Sequence, residues 1–190
     1  MIESELPRRP DGSTVLGIVA DTHCRAGGIA LPDAVLEAFR GVDSILHLGD
    51  MGEAAVLDRL AAVAPVLATR GGDDPPHEPR IVAGGRVLAA ADLALVAAFE
   101  LGELVPGAKS QGLELPREPL LALLDGRLRR PVGAVLFAGT HAPVLAMRDG
   151  LLLLNPGSAT LPVTRGPSGL GTVARLTIRG SALFPEIVQL

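Results

Sequence analysis

Short apolar runs alternate with amphipathic stretches along the first half of the chain. Val15–Ala20, Ser44–Leu48 and Pro65–Thr69 have strand length, and each ends in polar or glycine-rich residues. The stretches between them, Asp33–Arg40 and Glu53–Val63, carry apolar residues at helical spacing. This alternation of strands and helices predicts a parallel sheet with crossover helices, and therefore an α/β fold.

The second half contains more strands and fewer helices. Gly84-Gly85 predicts a hairpin turn, Gly102–Glu118 is rich in Gly and Pro and predicts a loop, and Pro119–Arg129 predicts a short helix. We expect this half to form a second sheet that packs near the first. Its predicted strands are Arg80–Ala83, Arg86–Ala90, Leu93–Ala98, Gly133–Phe137, Val144–Arg148, Leu151–Leu154, Thr172–Ile178 and Ala182–Val188.

Length and composition predict one domain with an aliphatic core. The chain has 190 residues, of which 48% are hydrophobic and only 2% aromatic. Residues 1–14 are polar and contain two prolines, so we expect a flexible leader before a single domain at 15–190. The longest apolar stretch, Val87–Leu101, is interrupted by Asp92 and Glu100. It is too short and too polar to cross a bilayer, so no membrane partner is expected.

Charge and cysteine content exclude several classes of function. The net charge is −4, from 17 basic and 21 acidic residues, which does not provide the positive field that nucleic-acid binding requires. Cys24 is the single cysteine, so an internal disulfide and a cysteine-rich zinc site are excluded. We expect a cytoplasmic protein, and association into a homo-oligomer is left open.

Acidic and imidazole side chains follow several of the predicted strands. Asp21 and His23 come after the first strand, Asp50 after the second, and His141 after a later one. Ligands in open α/β sheets bind at the carboxyl ends of the strands, so these four side chains are expected to meet at one edge. Residues i and i+2 of an extended segment point the same way, and mixed carboxylate–imidazole sets suit a divalent ion. The sequence therefore predicts a metal site.

The motifs and their order resemble those of the calcineurin-like metallophosphoesterases, and most of all the small bacterial and archaeal phosphodiesterase branch. The likeness extends over nearly the whole chain, from about Val15 to Val188. The matching segments are Asp21-Thr22-His23, Gly49-Asp50, Gly71-Gly72-Asp73-Asp74, Gly139-Thr140-His141 and Asn155-Pro156-Gly157-Ser158.

The resemblance implies a four-layer αββα sandwich of two mixed β-sheets flanked by helices, with a metal site at one edge. It assigns one divalent ion (Mn, Fe, Zn, Ni or Mg) to Asp21, His23, Asp50 and His141. The ligands of the family's second ion are largely missing. Gly72 and Gly139 stand where the family has Asn and His, and the segment Ala97–Gly102 lacks the family's lone His.

Other residues could compensate for this loss or shape the site. Asp73, Glu100 and His77 are candidates for a second ion, and a set of Asp50, Asp73 and Glu100 would favour Mg or Mn. Asp74 matches an orienting carboxylate of the family, with a turn carboxylate as the alternative. Three residues of the last motif are expected to shape the floor of the site: Asn155, Gly157 and Ser158.

Several of these residues also have a purely structural interpretation. Asp21 and His23 could form a capping or turn pair, and Asp50 could be the N-cap of the helix that follows it. His141 could be an ordinary loop histidine. His47 lies inside a strand run and is expected to be buried and hydrogen-bonded rather than a ligand, and Cys24 is expected to be a small buried residue.

The resemblance implies a metal-dependent phosphoesterase or phosphodiesterase that hydrolyses a small phosphate ester with a metal-activated water. Loss of the second-ion ligands predicts low activity, and no residue can be assigned as the general acid. The alternative is a catalytically inactive member of the family that keeps the fold and acts as a binding or scaffold module. Binding of a regulatory ligand at the same edge is a third hypothesis.

Overall fold

Two six-stranded sheets form the centre of the protein in a computed structural model that describes residues 1–90, 92–125, 128 and 130–190. The strands are β1 (Ile2–Glu5), β2 (Ser13–Val19), β3 (Ser44–His47), β4 (Val66–Thr69), β5 (Ile81–Val82), β6 (Arg86–Ala90), β7 (Leu93–Ala97), β8 (Val132–Leu136), β9 (Pro143–Arg148), β10 (Leu151–Pro156), β11 (Thr172–Arg179) and β12 (Ala182–Gln189). The helices are α1 (Asp33–Ala38), α2 (Ala55–Ala61), α3 (Leu101–Leu104) and α4 (Leu120–Asp125), with a 3₁₀ turn at Gln111–Leu113.

The first sheet has the strand order β12-β11-β2-β3-β4-β5, and the second has the order β1-β6-β7-β8-β10-β9. Both sheets contain parallel and antiparallel pairs. One apolar cluster joins the two sheets through residues such as Leu16, Leu46, Leu95 and Leu136. Two further clusters pack α1 and α2 on the first sheet and α3 and α4 on the second. The predicted four-layer αββα sandwich is confirmed.

Strand β2 shows how the apolar pattern builds these layers. All seven of its residues are buried, which is typical of a central strand with both faces covered. Successive side chains of a strand point to opposite faces. Leu16 and Ile18 accordingly join the cluster between the sheets, whereas Val15 and Val19 pack toward the helices. The strand ends at Val19, and the chain leaves the sheet at Asp21, the first residue of the candidate site.

The prediction of a flexible leader over residues 1–14 is wrong. Ile2–Glu5 forms β1, which pairs in parallel with β6, and Ser13 and Thr14 already belong to β2. Most of β1 is exposed because it is an edge strand. Its polar sequence therefore lacks the burial signal on which a strand prediction depends.

Three predictions about the second half also need correction. Gly84-Gly85 does not close a hairpin, because β5 pairs with β4 in the first sheet and β6 belongs to the second. The terminal hairpin of β11 and β12 extends the first sheet, next to β2, rather than the second. The predicted loop Gly102–Glu118 contains most of α3 and a 3₁₀ turn. The helix predicted at Pro119–Arg129 is present as α4, and residues 126, 127 and 129 lie outside the described part of the chain.

Among the residues that the structure describes, no helix has the length and apolar character of a membrane span.

Gly17 in β2 gives a test of the packing between the first sheet and α1. A Cβ atom at this position would lie 2.8 Å from Cδ1 of the fully buried Phe39. We expect Gly17→Val to lower the free energy of unfolding by about 1–3 kcal/mol, because the core has no room for the added carbons. Urea denaturation of both proteins measures this difference. Gly28→Ala is the control, since its Cβ would have no neighbour nearer than 3.6 Å, and a loss as large in this control would refute the packing argument.

Candidate metal centre

The loops that follow β2 and β3 form one edge of the first sheet. These strands are parallel neighbours, so their carboxyl ends lie side by side. Backbone hydrogen bonds join the loops: the Asp21 N–H donates to Gly49 O (3.0 Å), and the His23 N–H donates to Asp50 O (2.9 Å). The loop after β8 brings His141 to the same place from the second sheet. The site therefore lies where the two sheets meet.

The backbone is unusual at all four residues predicted to bind the first ion. Asp21, His23, Asp50 and His141 have φ angles of 51°, 43°, 54° and 58°. Such left-handed conformations are unfavourable for residues other than glycine and persist where the surrounding structure holds them. Of the six non-glycine residues with positive φ in the described part of the chain, four belong to this group. The strain is concentrated where the side chains must point to a common centre.

Asp21, His23 and His141 each offer a ligand atom, and these atoms all lie within 4.8 Å of one another. The Nε2 atoms of the two histidines are 3.3 Å apart. In the part of the chain that is described, this is the only cluster of three or more His, Cys, Asp or Glu residues close enough to share an ion. A turn or loop role does not require such convergence of residues distant in sequence.

Hydrogen bonds on the far side of each ring determine which nitrogen faces the centre. His141 Nδ1 lies 2.7 Å from Leu161 O, and His23 Nδ1 lies 2.8 Å from Oδ2 of Asp73. Both partners accept hydrogen bonds, so each Nδ1 carries a hydrogen and each Nε2 faces the centre. At 3.3 Å the two Nε2 atoms either share a proton or direct two lone pairs to one region, where a cation would bind both ring nitrogens.

The carboxylate of Asp21 completes this set and is incompletely satisfied. The residue is fully buried; its Oδ2 accepts a hydrogen bond from the Gly139 N–H (3.2 Å), but its Oδ1 has no partner. Burial raises the pKa of Asp21 to about 6, against the opposing effect of the nearby His141. An unpaired buried carboxylate oxygen costs about 1–3 kcal/mol, which a bound cation would offset. The residues present therefore fit a divalent ion.

Asp50 lies beside this set and is partly buried. Its Oδ2 is 3.7 Å from Nε2 of His23, and its Oδ1 accepts a hydrogen bond from the Asp73 N–H (2.8 Å). Gly71 allows this approach, since a Cβ there would lie 2.3 Å from Oδ1 of Asp50. The alternative role of Asp50 as a helix N-cap is wrong, because α2 begins at Ala55 and its N-cap is Ala54.

Asp73 fixes the orientation of the His23 ring. Its two carboxylate oxygens bind His23 Nδ1 and the Arg25 guanidinium. The hydrogen bond from His23, together with Arg25, lowers the pKa of Asp73. A carboxylate that holds the outer nitrogen of a histidine is the usual partner of a metal-ligating ring, because it fixes the ring's orientation and raises its basicity.

Asp74 is buried and fastens two loops together. Its carboxylate accepts hydrogen bonds from the Met51 and Gly71 N–H groups, both at 2.7 Å. Burial raises the pKa of Asp74. Met51 directly follows Asp50, and Gly71 lies two residues before Asp73. Asp74 therefore fixes the backbone of the two loops that carry these side chains.

The remaining candidates for a second ion are not brought together. Glu100 is exposed, and its side chain forms a reciprocal capping box with Glu103 at the start of α3. His77 is exposed on the loop after β4. Neither belongs to the cluster of potential ligands found in the described residues. The predicted set of Asp50, Asp73 and Glu100 therefore does not assemble.

The two glycines in the second-ion positions differ in the space around them. A Cβ on Gly139 would lie 2.9 Å from Oε1 of Glu100, whereas a Cβ on Gly72 would meet nothing nearer than Asp50 Oδ1 at 3.9 Å. Glu100 thus occupies the space beside Gly139, and the region around Gly72 is open.

The Asn155–Ser158 motif lies next to the site and supports its loops through hydrogen bonds. The Ser158 hydroxyl donates to the backbone oxygen of Asp21 (2.7 Å) and accepts from the Leu161 N–H (2.8 Å). Asn155 bonds to Thr140 Oγ1 through its amide and accepts from the Gly157 N–H, which forms a tight turn. Gly157 has φ of 75°, which favours glycine.

Sequence reasoning missed two residues that position the ligands. Thr160 donates its hydroxyl hydrogen to the backbone oxygen of Thr22 (2.7 Å), and Leu161 supplies the carbonyl that orients His141. A backbone carbonyl carries no side-chain signal, so Leu161 could not have been found from the sequence. Thr160 lies two residues beyond the Asn-Pro-Gly-Ser motif, and only its place next to that motif could have drawn attention to it.

His47 is buried and hydrogen-bonded, as predicted. Its Nδ1 accepts from the Gly49 N–H (3.2 Å), so its Nε2–H faces Thr22 Oγ1 at 3.1 Å. Burial lowers the pKa of His47 to about 3. The neutral ring therefore links the β3 end to the loop that carries Asp21 and His23.

This burial predicts a pH dependence of stability in chelator-treated protein. Between the ordinary value of 6.5 and the folded pKa of about 3, the unfolded chain binds a proton at His47 that the folded chain does not. The stability contributed by neutral His47 is therefore present above pH 6.5 and is lost as the pH falls. Relative to His47→Gln, the wild type should lose about 2 kcal/mol of unfolding free energy from pH 7 to pH 5.

Urea denaturation at several pH values measures this difference. Asp21, with its pKa raised from 3.8 to about 6, contributes in the opposite direction as the pH rises through that range. That contribution is common to both proteins and cancels in the comparison. Parallel stability curves for the two proteins would contradict a neutral, buried His47.

Comparisons with known proteins identify the family of this chain. The family model of the calcineurin-like phosphoesterase superfamily domain matches residues 15–181. The "Probable metallophosphoesterase" of Methanothermobacter thermautotrophicus is 32% identical over 175 residues, which cover 92% of each chain.

Solved structures show the same fold. A Vps29 from Entamoeba histolytica complexed with zinc has a TM-score of 0.66 at 19% identity, covering 92% of this chain and 98% of its own. A novel archaeal phosphodiesterase has a TM-score of 0.62 at 20% identity, covering 92% of this chain and all (100%) of its own. With the family match over residues 15–181 and the convergence of Asp21, His23 and His141, the chain belongs to the calcineurin-like phosphoesterase superfamily.

Proposed function

We propose that the protein is a metal-dependent phosphoesterase with one well-formed ion site, and that Asp21, His23, His141 and Asp50 hold the ion. The observation that carries this proposal is the convergence of a buried carboxylate with an unpartnered oxygen, that of Asp21, and two imidazole Nε2 atoms that lie 3.3 Å apart. The match to the superfamily and the likeness to an archaeal phosphodiesterase support it.

The donor set favours some ions over others. Two imidazole nitrogens with carboxylate oxygens suit Mn, Fe, Zn or Ni, whereas Mg prefers oxygen ligands. A bound divalent ion supplies positive charge for the phosphoryl oxygens and lowers the pKa of a water molecule that can attack phosphorus. The chain's own contribution is orientation. Asp73 and the Leu161 carbonyl hold the two rings, and Ser158 holds the backbone of Asp21.

The substrate that we propose is a small phosphate ester, most suitably a phosphodiester. Turnover is expected to be slow, because Gly72 and Gly139 supply no side chain to a second ion and Glu100 and His77 do not join the cluster of potential ligands among the described residues. In paired-ion sites the two cations stabilise both the attacking and the leaving oxygen, and a single ion provides only part of this.

The first test is metal content. Wild-type protein loaded with Mn or Zn and freed of excess ion should retain about one ion per chain, and His141→Ala should retain close to none, since a lost ligand weakens the site. Elemental analysis after gel filtration measures the ratio. His77→Ala is the matched control, because His77 is exposed and lies outside the cluster. Retention of the ion by His141→Ala would contradict the proposed site.

The second test is turnover of bis-p-nitrophenyl phosphate in the presence of Mn. We expect Asp50→Asn to lower kcat/KM by roughly 10- to 100-fold, because the amide removes a negative charge beside the ion. Asp33→Asn, at an exposed position on α1, should leave the rate unchanged. Equal rates in wild type and Asp50→Asn would contradict the assignment of Asp50 to the ion site.

A second candidate function is a binding or scaffold module that keeps one ion and does not catalyse. The loss of side chains at Gly72 and Gly139 favours it, because a site that need not perform catalysis can dispense with second-ion ligands. The likeness to Vps29 is consistent with this alternative at the level of the fold. Metal binding without turnover in any of Mn, Zn, Ni or Mg would favour the module over the enzyme.

A further inference from the structure

A cleft of about 290 Å³ lies beside the candidate metal centre. One wall is the 3₁₀ turn after α3, and the other is the start of β9 with the segment that follows the last motif. Its lining residues are Ser110, Gln111, Gly112, Leu113, Thr140, Ala142, Val144 and Val163.

The cleft is joined directly to a proposed ligand. Thr140 and Ala142, the chain neighbours of His141, both line it. The Val163 N–H donates to the backbone oxygen of His141 (3.3 Å), and the carbonyl of Leu161 holds the ring of the same residue. A phosphoryl group held at the metal centre would therefore have the cleft next to it.

The walls of the cleft are mainly apolar and carry no charged side chain. Leu113, Ala142, Val144 and Val163 supply carbon surface, and Val163 is 71% exposed. The polar lining residues are neutral: Gln111 adds an amide, and the hydroxyl oxygens of Thr140 and Ser110 bond within the protein. Thr140 Oγ1 donates to Ala142 O and accepts from Asn155, and Ser110 Oγ accepts from the Leu101 N–H.

The charged residues at its margin neutralise each other. Lys109 Nζ and Glu114 Oε2, on either side of the 3₁₀ turn, form an ion pair at 2.8 Å. A polar or anionic group in the cleft would meet no free donor from this pair. Binding of an apolar group would instead be favoured, because it removes from water both the surface of that group and the exposed side chain of Val163.

The 3₁₀ turn that forms one wall of the cleft has an unusual backbone conformation at Leu113. The φ angle of this leucine is 49°, and it is the only non-glycine residue with positive φ, in the part of the chain described, that lies outside both the metal centre and the β9–β10 turn. A leucine rarely adopts this conformation. The Leu113 side chain lines the cleft and also packs against the apolar cluster of the second sheet.

We propose that this cleft binds an uncharged, apolar organic group of the phosphate ester, with an aromatic ring as the best occupant. This inference rests on the proposed function, since it takes the phosphoryl group to lie at Asp21, His23 and His141. The substrates that fit are aryl or other apolar phosphate esters. Esters that carry a second anionic group at this position are expected to bind less tightly.

Binding of two non-hydrolysable phosphonates tests this without requiring catalysis. Phenylphosphonate and methylphosphonate share the anionic head and differ only in the apolar group. With the Mn-loaded protein, calorimetry should show phenylphosphonate binding about tenfold more tightly, as expected for burial of a ring face. Equal affinities, or no binding of either compound, would overturn the inference.

Variants of the cleft show whether the preference arises there. Leu113→Asn keeps a residue that tolerates positive φ, and Val163→Asn changes an exposed side chain, so both should fold. In each, the ratio of the two affinities should fall toward one. Met147→Asn is the matched control, an exposed apolar residue on β9 that does not line the cleft, and should keep the wild-type ratio.

The outcomes separate this inference from the proposed function. An unchanged ratio in both cleft variants would overturn the inference even if bis-p-nitrophenyl phosphate is hydrolysed. Conversely, a tenfold preference that both variants abolish, in a protein without turnover, would support the cleft and contradict the enzyme.

Discussion

The candidate site depends on the close approach of two imidazole rings to one buried carboxylate. His23 and His141 place their Nε2 atoms 3.3 Å apart, beside a carboxylate oxygen of Asp21 that has no hydrogen-bond partner. Only the Asp21 carboxylate is fully buried here, and a bound cation would compensate the cost of its unpaired oxygen. The remaining features of the site, from the left-handed backbone of the ligands to the hydrogen bonds behind them, maintain this arrangement.

Two sheets are needed to make that approach possible. Asp21 and His23 extend from the first sheet, and His141 extends from the second, so the site forms only when the apolar layer between the sheets packs correctly. Asp74 and Ser158 then tie the loops to one another through backbone groups. The stability of the core and the geometry of the metal centre are therefore coupled through Val15–Val19, the strand that leads into the site.

The potential ligands lie on one side of the site. Gly72 and Gly139 have no side chain to offer, and Glu100 lies in the space beside Gly139. Asp73 holds the outer nitrogen of His23. The described residues therefore form one cluster of potential ligands, and a mainly apolar cleft lies on the side of His141.

From Val15 onward, the sequence alone determined most of the strands and helices and the location of the polar residues at strand ends. Buried strands and amphipathic helices leave local periodic patterns, and the carboxyl ends of neighbouring parallel strands must share an edge. The group of Asp21, His23 and His141 could therefore be anticipated from the sequence, as could the buried state of His47.

Only the tertiary structure decided the partners of these residues. The strand Ile2–Glu5 pairs with β6, whose sequence is more than eighty residues away, and its exposed polar pattern carries no trace of this pairing. The bond from His23 to Asp73 likewise joins residues that are far apart in sequence, and the chain crosses from one sheet to the other at Gly84-Gly85, where a hairpin was predicted. Such contacts depend on how the two sheets pack in space, which local periodicity does not specify.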